Sequence, residues 1–485
     1  MSRLGVRVSV DAFEPGLVFS GTLRTYEGGS QHAYPATLRF DSDGPVQFEL
    51  STEAGRGLFG EDSAHESLWF RGDQFLPDQC LFQSLDGQFT LAKIRSVRRS
   101  RNGFVSSAQF VADEVVLRGT QTSIHVPMGF DELSSVVSGL GEWWNQRSLL
   151  LTSHHFDNGL VERVDITTDE SIQPLQWTQN GATMRIEKGW RTDAPEDRSA
   201  WSLIELTHLV SRFPEPSSAD RHLDEHWKVR SLVALMFGAP SRYREHSIAS
   251  SSFSERLPRS NDTVEYFTPK RPFVTRRTVR DFELPSGPFS RSGAILWLRD
   301  IGELGLQAWA DSWDEAWERL IAPTVAVLSR PEPFVDDVIL ATGIFIDAWG
   351  KRQSKVDGER ETYSTPGPGK KPTPTFATYA FRALAKSGAA WSNAATSNAG
   401  LARAIRDVYT AVKHAEKQQP DALVLSLLSN VSLLLVRLVA AHRIDDSGDL
   451  VEQFTSSWSF EKELSGFIEH GVIIGDDGTF GPRPL

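Results

Sequence analysis

Apolar residues change their spacing along this 485-residue chain, and that change limits the folds open to it. Up to about residue 126, short runs of alternating apolar and polar residues recur between turns rich in Gly and Asp, for example at 37–40 and 46–50. This alternation predicts strands with one buried face, and their close spacing is typical of an antiparallel sandwich or an open barrel. From about Gly293 onward, apolar residues recur every three or four positions, which predicts helices.

The predicted fold class is therefore α+β and multidomain, because 485 residues exceed one ordinary core. A β-rich, sandwich-like N-terminal region is predicted over 1–290, either whole or divided into two subdomains near residue 150. An all-α bundle is predicted over 291–485. Inside that bundle, residues 354–375 contain the run Thr-Pro-Gly-Pro-Gly-Lys-Lys-Pro, which predicts a flexible loop.

Helical spacing also occurs within the front region, where it predicts helices at 130–147 and 222–237, the second ending at Gly238. In the rear region, helices are predicted at 294–309, 313–328, 334–351, 376–391, 399–416, 421–443 and 459–470. The helix at 421–443 is apolar on nearly all sides, yet it contains Arg437. That composition predicts a buried helix rather than a membrane span.

Composition narrows the function classes. The 63 acidic and 51 basic residues give a net charge of −12, which argues against a protein coated uniformly with phosphate-binding cations. The single cysteine, Cys80, excludes an internal disulfide framework and a zinc site made of cysteines. One cysteine, together with an N-terminus that lacks an apolar signal-peptide core, predicts a cytoplasmic protein.

The strongest candidate chemistry lies at 403–417. Cationic residues and a tyrosine recur three to four positions apart on one face of the predicted helix: Arg406, Tyr409, Lys413 and Lys417. His414 lies near the end of that helix, where the helix dipole favours the protonated ring. An imidazole can take the proton from a ribose 2′-hydroxyl, and a guanidinium can hold the charge that develops on phosphate, without a metal. A solvated basic face with an incidental histidine explains the same residues, and taken alone they favour that explanation.

With these residues, the chain resembles the ApeA-type bacterial anti-phage proteins, which end in a HEPN domain. The likeness lies in the helical rear region, in the 334–351 helix, and in the segment from Arg406 to His414 that precedes a Leu-rich helix. In the front region, residues 130–144 and 226–238 resemble segments of the ApeA N-terminal region. The resemblance covers most of the chain in order, without long identities.

The resemblance implies a metal-independent endoribonuclease that needs no cofactor and halts growth by cutting host or phage RNA, tRNA included, during infection. It also implies a homodimer or a higher homo-oligomer, and a front region that senses a phage-derived trigger. The family motif is an arginine, a polar residue and a histidine, which correspond here to Arg406, Asp407 and His414.

Further residues receive supporting roles in the ribonuclease hypothesis. Tyr409 and Lys413 would position phosphate, and Arg403 and Lys417 would bind RNA. Asp347, on the 334–351 helix where many relatives carry Glu, would orient Arg406 or His414. A capping carboxylate at the edge of the core explains Asp347 equally well.

The chain departs from the motif in one respect. Seven residues separate Arg406 from His414, whereas the family has four to six. On a straight helix this separation gives a rise of roughly 12 Å and an angular offset of about 80°. The pair could then meet one phosphate only if the helix end unwinds or a second subunit contributes. A non-catalytic HEPN-type module that binds RNA, nucleotide or protein therefore stays open as an alternative.

A zinc hydrolase is a second alternative. His222, Glu225 and His226 follow the order H-x-x-E-H, in which two histidines share a helix face and the glutamate acts as general base. The third ligand would have to be distant in sequence, such as Glu303 or Glu315. An amphipathic helix start with acid–base pairing explains the same residues, and we favour it.

Overall fold

In the computed structural model, the described residues are 15–27, 30–41, 46–53, 69, 76–102, 105–117, 128–169, 171–193, 202–258, 264–285, 289, 293–365, 369, 371–414, 416–445 and 447–484. Strands dominate this part of the chain up to about residue 275, and helices dominate the rest. The α+β class, with a β-rich front and a helical rear, is therefore confirmed.

Twelve of the described strands form one antiparallel sheet. They are β1 (Val18–Glu27), β2 (Ser30–Arg39), β3 (Val46–Glu53), β4 (Gln79–Ser84), β5 (Gln88–Asn102), β6 (Val105–Leu117), β7 (Phe130–Val137), β10 (Leu175–Gln179), β11 (Ala182–Asp193), β12 (Ser202–Ser217), β13 (Tyr243–Ala249) and β16 (Arg271–Thr275). Three separate two-stranded sheets hold β8 (Leu149–His155) with β9 (Val161–Thr168), β14 (Glu255–Pro258) with β15 (Val264–Phe267), and β17 (Val472–Ile474) with β18 (Phe480–Pro482).

The first six strands close into a barrel in the order β6-β3-β2-β1-β4-β5, because β5 pairs with both β4 and β6. Closure pairs the strand edges that an open sheet would leave exposed. Aromatic side chains fill the interior, with Phe48 stacked on Phe110 and Trp69 edge-on to Phe110. The front region is thus a six-stranded barrel with a sheet extension, and the expected sandwich-like form is corrected.

The extension continues from β6 in the order β16, β13, β7, β12, β11 and β10. Its outer strand, β10, is covered by side chains of a rear helix. Glu303 accepts from the Gln176 N–H at 2.7 Å, and Gln307 accepts from the Thr178 N–H at 3.0 Å. These contacts satisfy backbone groups that would otherwise form an unpaired sheet edge.

The prediction of a helix at 130–147 is wrong over most of that range. Phe130–Val137 is the strand β7, and only Leu140–Trp144 is helical, as α1. β7 lies between β12 and β13, and Leu133, Ser134 and Ser135 are all buried. A strand buried on both faces loses the alternation that distinguishes it from a helix.

The second helix predicted in the front region is confirmed as α2, Ala219–Phe237. The Ser218 hydroxyl caps its start by accepting the Arg221 N–H. Gly238 ends it with a positive φ of 63°, a conformation that glycine adopts at little cost.

The rear region contains α3 (Leu298–Asp311), α4 (Glu315–Leu328), α5 (Val335–Arg352), α6 (Phe376–Lys386), α7 (Asn398–Lys413), α8 (Ala422–Ala441), α9 (Asp449–Thr455), α10 (Trp458–Glu463) and α11 (Ser465–Glu469). Short 3-10 helices lie at Ser251–Phe253, Val279–Phe282 and Glu359–Thr362. Each rear helix predicted from sequence is present, with ends that differ by a few residues. The last predicted helix is divided into α10 and α11.

Among the described residues, α8 is the only helix long and apolar enough to cross a membrane, and 67% of its most apolar stretch is buried inside the protein. It packs against α5, α7 and α2. This is the packing of a core helix, as its sequence predicts.

Residues 354–375 are not simply a flexible loop, which corrects the prediction. Glu359–Thr362 forms a 3-10 helix, and Glu359 is only 3% exposed. The Arg382 guanidinium donates to both oxygens of this carboxylate, from Nε at 2.6 Å and Nη2 at 2.9 Å, and the Tyr363 hydroxyl donates to it at 2.7 Å. The hydrogen bonds from Arg382 lower the pKa of Glu359 to about 2. Of the Pro-Gly run, residues 366–368 and 370 lie outside the described residues.

Two apolar cores are present in the described chain. One fills the barrel, and the other is continuous from the sheet extension through α2 into the helical bundle. Arg437 on α8 joins the two sides of this larger core, because its guanidinium donates to the carbonyl oxygens of Leu235, Met236 and Gly293, each at 2.9 Å. Glu463 on α10 accepts from the same group at 3.1 Å.

Candidate functional site

Helix α7 carries most of the residues singled out from the sequence, and it remains helical to its last residue, Lys413. The Ser397 hydroxyl caps its start. At its end, the His414 N–H still donates to the Thr410 carbonyl at 3.2 Å, and only His414 itself turns to an extended conformation. The helix therefore does not unwind between Arg406 and His414, and the rise of roughly 12 Å between them persists.

The described contacts of Arg406 and His414 are with carboxylates rather than with each other. Arg406 donates from Nε to Asp407 Oδ1 at 2.7 Å, and its side chain is 38% exposed. His414 Nδ1 lies 3.5 Å from Glu416 Oε1, and its side chain is 46% exposed. Within one chain, the two proposed catalytic groups do not form a hydrogen-bonded pair.

Tyr409 lies in an aromatic and cationic arrangement next to these residues. Its ring stacks on Phe376 of α6 with centroids 4.7 Å apart and planes 11° from parallel. Gly343 on α5 makes room for it, since a Cβ at that position would overlap the Tyr409 ring. The Lys413 ammonium lies 5.4 Å above the same ring, within cation–π range.

A second ring and lysine extend this surface on α5 and α6. Lys351 lies 5.3 Å above the ring of Tyr379. We call Lys351, Phe376, Tyr379, Tyr409 and Lys413 the α7 patch. Its three rings are half-buried and its two lysines are exposed.

Asp347 does not orient Arg406 or His414 in the described structure. It accepts a hydrogen bond from Lys351 one helical turn away, at 2.5 Å. That hydrogen bond raises the pKa of Lys351. The Asp347 carboxylate therefore binds a lysine of the α7 patch and does not contact the expected catalytic pair.

Arg403 and Lys417 have different environments. Arg403 donates to the Glu361 carbonyl at 2.5 Å and also to the Asp476 carbonyl, so it connects α7 to two neighbouring segments. These contacts engage the Arg403 guanidinium, and its RNA-binding role stays a prediction. Lys417 is exposed just beyond the helix, where its N–H donates to the His414 carbonyl at 2.9 Å.

Sequence reasoning missed Phe376, Tyr379 and Lys351 as members of the site. Phe376 and Tyr379 are three residues apart on α6, which is a helical spacing that places two rings on one face. Their nearness to Tyr409 depends on the packing of α6 against α7, for which the sequence has no local signal.

Sequence reasoning also missed a second arginine–histidine pair, Arg437 and His442. Four residues separate them, which is within the family spacing. The residue after Arg437 is Leu438 rather than a polar residue. Arg437 is only 3% exposed and is bound to carbonyl oxygens, and His442 Nε2 lies 3.0 Å from the Ser387 carbonyl. In this arrangement the pair is part of the core.

The zinc-hydrolase alternative is contradicted. His222 is fully buried, with Nδ1 at 2.8 Å from the Ser211 hydroxyl and Nε2 at 3.1 Å from the Phe130 carbonyl. Glu225 accepts from Lys228, Gln179 and Asn180. Among the described residues, no group of three His, Cys, Asp or Glu side chains is placed to hold a metal ion.

The two residues suggested as the third zinc ligand, Glu303 and Glu315, also bind other groups. Glu303 accepts from the backbone of β10, as described above, and Glu315 forms an ion pair with Arg319 at 2.7 Å. The histidines of this segment are structural members of the core beneath α2.

His226 belongs to a buried chain of hydroxyls and rings. The Ser135 hydroxyl lies 2.7 Å from Nδ1 of both His226 and His246, and His246 Nε2 lies 2.8 Å from the Thr278 hydroxyl. Burial lowers the pKa of His246 to about 3, so this ring is neutral at physiological pH. A neutral imidazole can both donate and accept, which suits a hydrogen-bonded role inside the core.

Compared with known protein families, curated proteins and solved structures, the chain matches none of them.

Proposed function

We propose that this chain binds RNA through the α7 patch and the exposed residues beyond it, His414 and Lys417. The observation that carries the proposal is the stacked, half-buried pair of Tyr409 and Phe376 with the Lys413 ammonium over one ring. Proteins that bind single strands combine aromatic rings, on which bases stack, with cations that follow the phosphates. The α7 patch has both components on one surface.

The charge of the region supports the same proposal. The chain carries a net charge of −12, so phosphate binding has to be local. In the described part of the chain, no carboxylate lies within ion-pair distance of Lys413 or Lys417. With respect to the described residues, these two exposed cations are therefore available to phosphate oxygens.

Binding without cleavage is the alternative that the contacts of α7 favour, because Arg406 and His414 are two helical turns apart and each faces a carboxylate. Cleavage is the second candidate. It is favoured by the exposure of the His414 ring, which leaves the imidazole open to a ribose hydroxyl. In that case a second copy of the chain would have to complete the pair around one phosphate.

The cellular role is proposed from the resemblance to ApeA-type proteins. In this proposal the protein lies in the cytoplasm, the β-rich front senses a phage-derived trigger, and the HEPN-like rear acts on RNA without a cofactor. The single buried thiol, Cys80, suits that reducing compartment.

Replacing Lys413 with Ala should weaken RNA binding about tenfold at low salt, because one phosphate contact is lost. The slope of log affinity against log salt should decrease in magnitude by about 1. Fluorescence anisotropy with a labelled single-stranded RNA of about 20 nucleotides measures both quantities.

Lys386→Ala is the matched control, since it removes an exposed lysine of α6 outside the patch. It should leave affinity and salt slope unchanged. Equal affinity of wild type, Lys413→Ala and Lys386→Ala would show that RNA, if bound, is bound elsewhere.

An RNA-cleavage assay on the purified protein separates the two candidates. If the protein cuts RNA through His414, then His414→Ala should abolish cutting even at saturating RNA, while its circular dichroism stays close to wild type. The absence of cutting by wild-type protein that binds RNA leaves the binding-only function. Unchanged cutting by His414→Ala would show that the active site does not include His414.

A further inference from the structure

Arg242, which precedes β13, carries a buried guanidinium that is only partly bonded. Its side chain is 3% exposed, and Nη1 lies 3.5 Å from Asp281 Oδ1. In the described chain, its Nε and Nη2 atoms are buried and have no hydrogen-bond partner. An unpartnered buried donor costs free energy, and the cost is larger on a charged group. Native structures normally supply a partner for such a group, for example a bound ion.

The two unpartnered nitrogens form one edge of the guanidinium. Hydrogens on Nε and Nη2 point in the same direction, so this edge can bind two oxygens of one anion side by side. Two other buried arginines of this protein use the same two atoms. Arg382 donates from them to the Glu359 carboxylate, and Arg437 donates from them to backbone carbonyl oxygens. The corresponding edge of Arg242 meets no acceptor of the described chain.

Positive charge exceeds negative charge around this edge. Arg230 on α2 also forms an ion pair with Asp281, so two guanidiniums share one carboxylate. Nη1 of Arg244 donates to the Asp281 carbonyl at 3.1 Å. We call Arg230, Arg242, Arg244 and Asp281 the arginine cluster. Burial lowers the pKa of Arg242, Asp281 raises it, and the charges of Arg230 and Arg244 lower it again. A cluster of this kind, withdrawn from water, is stabilised by a bound anion.

A cavity of about 420 Å³ adjoins the arginine cluster, because Arg244 is part of its lining. The lining carries two further cationic side chains, Arg191 and Lys270, and two carboxylates, Glu245 and Glu283. Arg191 and Glu245 pair with each other at 2.9 Å. The lining therefore has no excess of negative charge that would repel an anion on its way to the cluster.

We propose that the arginine cluster binds a small oxyanion of the phosphate class, with two of its oxygens on Nε and Nη2 of Arg242. Two oxygens match the two parallel donors better than a single spherical halide ion does. The near-complete burial of Arg242 limits the bound group to about the size of a free phosphate ion. The site connects α2, β13 and the 3-10 helix Val279–Phe282, and it does not depend on RNA binding by the α7 patch.

Inorganic phosphate is the probe, added to the full chain at neutral pH and at an ionic strength held constant with sodium chloride. An anion that binds only the folded state stabilises that state. The melting temperature should therefore rise by about 2–5 °C at about 20 mM phosphate. The rise should saturate, with half-saturation on the order of 1 mM. Broadening of the NMR line of the phosphate phosphorus by the protein reports binding directly.

Arg242→Lys and Arg242→Gln should each weaken phosphate binding at least about tenfold, because a charge-assisted bidentate contact is lost. Lysine keeps the charge without the edge of two nitrogens, so it separates bidentate geometry from charge alone. Asp281→Asn should instead tighten phosphate binding severalfold, since it removes the carboxylate that competes for the same guanidiniums. Effects of opposite sign on binding cannot both arise from a general loss of folded protein.

Arg163→Gln is the matched control, because Arg163 is 65% exposed in an ion pair on the separate β8–β9 hairpin. It should bind phosphate as wild type does. A melting temperature that does not respond to phosphate, or that responds equally to chloride, would overturn the inference. Unchanged binding in both Arg242 variants, equal weakening by Arg163→Gln, or no tightening by Asp281→Asn would each contradict it as well.

Discussion

Glu359→Gln is expected to lower the free energy of unfolding by about 3–5 kcal/mol at pH 7, the cost typical of breaking a buried ion pair from one side. Both side chains of the pair with Arg382 are nearly inaccessible, at 4% and 8% exposure. The substitution keeps the shape of the side chain but leaves the Arg382 guanidinium buried without its counter-charge. Urea denaturation followed by circular dichroism measures the change.

Glu361→Gln is the matched control, because Glu361 lies on the same 3-10 helix with an exposed side chain. It should change the unfolding free energy by less than about 0.5 kcal/mol. Equal effects of the two substitutions would mean that the Glu359–Arg382 pair does not stabilise this segment.

The stabilisation that the Glu359–Arg382 pair contributes should depend on pH. The pKa of Glu359 is about 2 in the folded protein, below its ordinary value of 4.5. The unfolded chain therefore takes up the proton first, and the stabilisation by the pair is complete above pH 4.5 and lost as pH falls toward 2. The stability difference between wild type and Glu359→Gln should narrow over that interval.

Arg437→Met is expected to be destabilising to a similar extent, about 3–5 kcal/mol, because it removes a buried guanidinium that pairs with Glu463 and donates to three carbonyl oxygens. The guanidinium is the hydrogen-bond donor for carbonyl oxygens at the C-terminal end of α2, where a positive charge also complements the helix dipole. Methionine fills much of the volume but donates no hydrogen bond. The Leu235 and Met236 carbonyls would then lose the guanidinium and keep only the backbone N–H groups of Gly238 and Ile295 as donors.

Thermal and urea denaturation of Arg437→Met, alongside Arg319→Met, tests this prediction. Arg319 is 79% exposed in an ion pair within α4, and exposed pairs of this kind contribute roughly 0.3–0.5 kcal/mol. A loss of stability in Arg437→Met no larger than that in Arg319→Met would show that Arg437 is not needed to join α2 and α8.

The helical rear was predictable because its helices are amphipathic or wholly apolar over long stretches. One local signal, Gly238, marked the end of α2 where the structure has it. The failure at 130–147 has a physical cause. β7 is covered by a helix on one side and flanked by strands on both edges, so its sequence lacks the alternation of a half-exposed strand.

Only part of the candidate site could be found from the sequence. Arg406, Tyr409 and Lys413 share one helix, so local periodicity identified them. Phe376 reaches Tyr409 from another helix, and the ion pair of Asp347 with Lys351 competes with the role expected for Asp347. Contacts between helices and competition among neighbouring charges depend on packing, which periodicity alone does not encode.

The position of Arg437 also bears on how the protein is made. It is added to the growing chain 202 residues after Leu235, the residue whose carbonyl it binds. At translation rates of about 5–20 residues per second, that interval lasts roughly 10–40 s. Throughout that interval, the carbonyl groups of Leu235 and Met236 lack the guanidinium that binds them in the folded protein.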